Sequence, residues 1–162
     1  MTELHTIHQF VPTLGDGDAT SSHTKQVRTL LRDLGFRSEV YAERFSPGTG
    51  GRLYGEFVPT PGTGVIYQFA IGSVLADFLR ERRVPLALNF HNVTPVEMFK
   101  PWEPGLAHGL AWGLHQLAEL APVTTLGIAV SEFNRRSLVQ HRYRRTVVAP
   151  ILLDPGAFEC GV

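Results

Sequence analysis

Apolar runs and amphipathic stretches alternate along this chain of 162 residues. Leu4 to Val11 predicts a first strand. Val27, Leu30, Leu31 and Leu34 then recur at i, i+3, i+4 and i+7, which predicts a helix burying that one face. Thr20, Ser21 or Ser22 is placed to cap its start and Gly35 to stop it. Arg37 to Ala42 predicts a second strand and Val65 to Phe69 a third, with Ile71, Val74, Leu75, Phe78 and Leu79 at helical spacing behind it. The run Leu86 to Phe90 is nearly all apolar, which predicts a strand buried on both faces of a parallel sheet. A helix from about Gly105 to Ala121 carries Leu106, Leu110, Leu114 and Leu117. A strand at Leu126 to Val130, a helix from Ser131 to about His141 and a last strand at Thr146 to Ala149 complete the pattern.

Two segments break the alternation. Residues 45–64 hold six glycines and three prolines, which predicts a long surface excursion with a short hairpin over Arg52 to Val58. Residues 92–104 form a loop with three prolines. Six strands alternating with helices predict an α/β fold: one Rossmann-like domain over residues 1–150, with an open, mostly parallel, twisted sheet and helices on both faces. Ligands of such sheets bind beyond the carboxyl ends of the strands, where the strand order reverses. That rule selects Pro12 to Thr20, Gly72-Ser73, His91 to Glu97, Ser131-Glu132 and the chain from Pro150 onward.

Composition narrows the function classes. Fifteen basic residues balance fifteen acidic ones, so no general attraction draws the chain to nucleic acid or an anionic membrane. The basic cluster Arg135-Arg136, Arg142 and Arg144-Arg145 reads as a solvated helix end in preference to a docking patch. The single cysteine, Cys160, permits no internal disulfide. Neither a signal peptide nor a membrane span is legible, which predicts a cytoplasmic chain, with peripheral membrane association left open.

The loop Gly15-Asp16-Gly17-Asp18 leads from the first strand into the first helix. Its glycines allow close backbone approach to a ligand, and the helix start beyond offers free N–H groups to phosphate. A plain polar turn is the alternative. As a dinucleotide fingerprint the loop has Thr20 where the third glycine belongs, and as a calcium loop it has Ser21 in place of glycine. As an Asp-x-Asp metal site it follows the first strand, where that site would lie deep in the sheet, and no metal site is predicted. Glu43 keeps a ribose-holding, nucleotide-binding reading open.

His91-Asn92-Val93-Thr94 follows the buried fourth strand of the pattern. A histidine at this edge can bond a sugar hydroxyl or a phosphate or act near neutral pH, and Asn92 and Thr94 add donors and acceptors. A structural histidine is the competing account. His108 and His115, seven apart, read as residues of a partly buried helix face, and Trp102 and Trp112 as packing residues. Nucleophilic hydrolysis has no support, because Gly-x-Ser-x-Gly and a Cys–His pair are both missing.

Three segments in order resemble glycosyltransferase family 4, whose members adopt the two-domain GT-B fold. They are Ile7 to Pro12 with the Gly/Asp loop and His23-Thr24; Leu88 to Pro95; and Gly127 to Asn134 followed by Thr146 to Asp154. The resemblance covers nearly the whole chain and matches the acceptor-side domain. It implies sugar transfer from a nucleotide donor with retention at the anomeric carbon and without a protein-bound metal. It places His91 near the reacting sugar, Gly15 to Asp18 near the donor phosphates, and Ser131 and Glu132 at the interdomain cleft. The loop lacks the family's adjacent glycine pair. The donor site lies in the family's C-terminal domain, so residues 151–162 read as a hinge, with Asp154-Pro155-Gly156 at its start. The expectation is a chain inactive alone that binds no cofactor tightly and meets its nucleotide-sugar donor only with that domain. Its partners would be a sugar or glycolipid-type acceptor and a donor-domain subunit, or a second copy. A non-catalytic partner module and a Rossmann nucleotide-binding domain are the alternatives.

Overall fold

The computed structural model describes residues 3–152. Seven strands form one all-parallel sheet: β1 (Thr6–Leu14), β2 (Val40–Phe45), β3 (Gly51–Leu53), β4 (Thr63–Phe69), β5 (Leu86–Phe90), β6 (Thr124–Ala129) and β7 (Thr146–Val148). Their spatial order is β3-β2-β1-β4-β5-β6-β7. Four helices connect them: α1 (Ala19–Asp33), α2 (Val74–Arg80), α3 (Pro104–Leu120) and α4 (Glu132–Gln140). The order reverses between β1 and β4, the Rossmann arrangement with its switch point at that crevice.

Neighbouring residues of a strand face opposite ways, so β1 shows how the layers divide. Phe10 enters the main core with Tyr67, Leu88, Leu75 and Leu79 of α2 and Leu110 and Leu117 of α3. Gln9 points the other way, into α1. Beside it Val11, Leu14, Val40 and Ala42 form a smaller apolar cluster. Three crossovers, α2, α3 and α4, therefore share one face, and α1 is the one helix among the described residues on the other.

That imbalance shows at one position of β5, which is otherwise buried on both faces as expected, with Leu86, Leu88 and Phe90 on one side and Asn89 on the other. Leu88 is fully buried towards α2 and α3, whereas Ala87 is half-exposed on the opposite side. There Ile7, Ile66, Ala87, Leu126 and Ile128 line an apolar groove of about 330 Å³ beyond the reach of α1.

The Gly/Pro excursion contains a seventh strand in place of a hairpin. Gly51–Leu53 pairs parallel to β2, in register Tyr41↔Arg52, and a 3₁₀ turn at Tyr54–Glu56 follows. A Cβ on Gly51 would lie 2.8 Å from Phe45, so the strand is short and glycine-led for lack of room. Phe57 beyond the turn is buried against Phe10, with ring centroids 5.0 Å apart.

Helix α1 departs furthest from its apolar pattern. Leu30 and Leu34 are exposed, and the buried positions are Ser21, His23, Thr24 and Leu31. Its cap is Asp18, whose Oδ1 accepts from the Ser21 amide at 2.7 Å, so Thr20, Ser21 and Ser22 all lie inside the helix. Gly35 ends it as expected, at φ +90°, with its amide on Arg32 O. On α3 the buried stripe is Ala107, Leu110, Gly113, Gln116, Leu117 and Leu120. His108 and His115 lie outside that stripe and are exposed, which corrects the partly buried reading. Trp102 is 82% exposed and packs nothing into the core.

Candidate functional site

Polar residues sit in the middle of the sheet. Gln9, Gln68 and Asn89, on three adjacent strands, are all buried and face α1. An unpaired amide atom there is costly, and all of these except Asn89 Oδ1 find a partner among the described residues. Gln9 Nε2 donates to Thr24 O of α1 at 3.0 Å. Gln68 Nε2 donates to Gln9 Oε1 at 2.8 Å, and Asn89 Nδ2 to Gln68 Oε1 at 2.9 Å. Two histidines complete the chain. His91 Nε2 lies 2.7 Å from Gln68 Oε1, and His23 Nε2 lies 2.9 Å from Asn89 Nδ2. The two imidazoles meet edge to face with centroids 5.2 Å apart.

The anchor fixes the direction of the whole relay. A backbone carbonyl only accepts, so Thr24 O obliges Gln9 to present its amide nitrogen. Gln9 Oε1 then requires the Gln68 nitrogen, and Gln68 Oε1 is left as an acceptor facing both Asn89 and His91. His91 must donate through Nε2–H. Its Nδ1 forms no hydrogen bond among the described residues and carries the lone pair. Burial, with His23 beside it, lowers the His91 pKa to about 4 against the opposing pull of Asp18, so the ring is neutral at pH 7.

His23 has a more crowded position. Burial lowers its pKa as well. The Leu152 amide approaches Nδ1 at 2.9 Å, while Asn89 Nδ2 faces Nε2. A neutral ring has one lone pair, so it serves one of these two donors at a time. The chain after β7 thus returns across the sheet edge to α1.

The Gly15–Asp18 loop is tied to α1 at its ends, while the Asp16, Gly17 and Asp18 amides have no partner among the described residues. The Gly15 amide donates to Ser21 Oγ at 2.9 Å, and Lys25 Nζ contacts Gly15 O at 3.0 Å and Asp16 Oδ1 at 2.5 Å. Gly17, at φ +89°, makes the bend that returns the chain to the Asp18 cap. Lys25 brings a cation to the crevice that its place in the sequence did not announce. Glu43, the candidate ribose holder, accepts from the Ser73 hydroxyl across the switch point. Gln116 grips the Ser73 backbone at both its N–H and its carbonyl, at 2.9 Å each.

The remaining candidates lie along the same strand edge with local partners. Asn92 is exposed and left-handed at φ +95°, an uncommon conformation for a residue other than glycine. Its Oδ1 accepts from the Val93 amide at 2.9 Å. Thr94 is half-buried and makes no side-chain hydrogen bond among the described residues. Ser131 caps α4 by accepting from the Asn134 amide at 3.2 Å, and Glu132 pairs with Arg135 at 2.7 and 2.8 Å. Of the predicted residues, the structure joins His91 and His23 and sets Asp18 close enough to act on His91. Ser131 and Glu132 serve α4. The predicted hinge from Asp154 lies outside the described residues.

Sequence reasoning missed Gln9, Gln68 and Asn89. A signal existed: each is an amide at a position where a buried strand should carry an aliphatic residue. Among the described residues, no group of three His, Cys, Asp or Glu side chains is placed to hold a metal ion, and no helix is long and apolar enough to cross a membrane. Comparison with protein-family models and with curated proteins finds no match to this chain.

Proposed function

We propose that this chain is the acceptor-side domain of a retaining, nucleotide-sugar-dependent glycosyltransferase, with His91 at the sugar. The observation that carries the reading is the state of His91. It stands beyond the carboxyl end of β5, neutral, with Nε2–H held by Gln68 and Nδ1 without a partner among the described residues. A neutral ring held this way accepts a hydrogen bond from a hydroxyl. It lacks the charge to hold a diphosphate, which suits a sugar contact better than a nucleotide one.

The phosphate role of the Gly15–Asp18 loop has less support. The Gly15, Ser21 and Ser22 amides already have partners in Ser21 Oγ, Asp18 Oδ1 and Asp18 O, which leaves only the Asp16, Gly17 and Asp18 amides of the loop without one among the described residues. Glu43 is likewise engaged by Ser73, which weighs against the dinucleotide reading. The donor nucleotide is assigned to a second unit, and the acceptor is a sugar or a glycolipid headgroup. In a complete enzyme or a reconstituted pair, His91→Ala should abolish transfer while the fold is kept; retained transfer would remove His91 from the mechanism.

The groove over β4, β5 and β6, which no helix among the described residues covers, favours a second reading, a non-catalytic module that docks a partner or a second copy there. Sedimentation tests whether a second copy occupies this groove. A concentration-dependent dimer abolished by Ile128→Asp supports the module, and a monomer at all concentrations opposes self-association.

A further inference from the structure

We infer that Gln68, braced by Gln9, is the positioning residue that fixes which nitrogen of His91 faces the ligand. The inference rests on the reading of His91 as the sugar contact, but its geometry stands without any ligand. An imidazole free at this edge would sample both tautomers, and a ligand would meet a donor or an acceptor at Nδ1 in turn. The relay removes that choice. Thr24 O sets Gln9, Gln9 sets Gln68, and Gln68 Oε1 accepts from both Asn89 and His91.

Gln9 Nε2 donates to Thr24 O, Gln68 Nε2 to Gln9 Oε1 and Asn89 Nδ2 to Gln68 Oε1, so no amide hydrogen bond of the relay opposes His91. Gln68 Oε1 has two lone pairs and two donors, so turning its amide would place an N–H against the Asn89 N–H and orphan Gln9 Oε1 as well. Several buried bonds would be lost together, and a buried acceptor would be stranded as well. The lock is therefore cooperative and spans three strands and a helix. Its chemical consequence is selectivity: Nδ1 accepts from a hydroxyl and repels an unprotonated phosphate oxygen.

The test is long-range ¹H–¹⁵N NMR of the full chain, with the His91 ring assigned through His91→Gln. The wild type should show a protonated Nε2 and an unprotonated Nδ1, unchanged between pH 8 and pH 6. Gln68→Met removes the acceptor at nearly constant volume, and a mixture of tautomers should appear. Gln68→Glu keeps an acceptor beside Nε2, so the Nε2–H form should persist with its titration moved upward by at least one pH unit. A protonated Nδ1 in the wild type would overturn the inference. So would a wild-type ring pattern in Gln68→Met or, if that variant does not fold, an unmoved titration in Gln68→Glu. None of these signals needs a sugar, so loss of the lock and loss of the transferase reading are separable. Addition of a neutral glycoside, read at Nδ1, addresses the latter.

Discussion

Oε1 of Gln68 lies 2.7 Å from Nε2 of His91, and the two residues are joined across β4 and β5 at the edge where this fold binds ligands. The bond makes a surface-edge histidine the end of a buried polar chain that begins on a helix carbonyl. Much of the behaviour expected of the protein follows from that connection.

Stability should depend on pH through the two relay histidines. Both have pKa values below the ordinary 6.5, His91 at about 4. Between those values the unfolded chain binds protons that the folded chain refuses, so stability is full above pH 6.5 and falls as the pH drops towards 4. For His91 the loss is on the order of 3 kcal/mol across that window. Urea midpoints measured from pH 8 to pH 4 check this, and His91→Gln should flatten part of the slope. A midpoint constant through pH 5 would contradict the buried neutral rings.

Asp18 should prove to be a helix cap. Its carboxylate accepts from the Ser21 amide at 2.7 Å. Asp18→Ala should cost about 1 kcal/mol, and Asp18→Asn much less, because the amide oxygen can still accept. Thermal unfolding of the two variants separates a capping role from a purely electrostatic one, for which both would lose alike.

The contact between the turn before α2 and helix α3 should tolerate no added carbon. A Cβ on Gly113 would stand 2.7 Å from the Gly72 amide, and one on Gly72 would stand 2.7 Å from both Gly109 O and Gly113 N. The Gly72 amide also donates to Gly109 O at 3.1 Å. Gly113→Ala should therefore destabilise the fold by about 1–3 kcal/mol even though alanine is the better helix former. Gly105→Ala, where a Cβ meets nothing within 4 Å, is the control.

The strands were legible because their apolar runs are short and their spacing regular. Leu86–Phe90 falls where the pattern puts it, and β6, α4 and β7 agree within two residues. The failures have physical causes. Helix α1 was read from Val27, Leu30, Leu31 and Leu34, but it buries Ser21, His23 and Thr24 because its partner on the sheet is the polar relay. A hydrophobic template finds such a helix but misplaces its inner face when that face is polar. Strand β3 was hidden because three residues led by a glycine carry no periodicity. In the site, His91 was visible from its position at a strand end. Gln68 and Asn89 were not, because their partners lie 59 and 66 residues away along the chain.

The most direct test of the transferase reading is a ligand panel on the purified chain, followed by thermal shift and by the His91 ring signals. It contains neutral glycosides, UDP-, GDP- and ADP-sugars, the free nucleotides and NAD(H). Glycosides should move the Nδ1 resonance of His91, while free nucleotides and NAD(H) should leave both the ring and the melting temperature unchanged. Stabilisation by NAD(H) or a free nucleotide, with the His91 ring silent to every glycoside, would contradict the transferase reading and make the chain a nucleotide-binding domain.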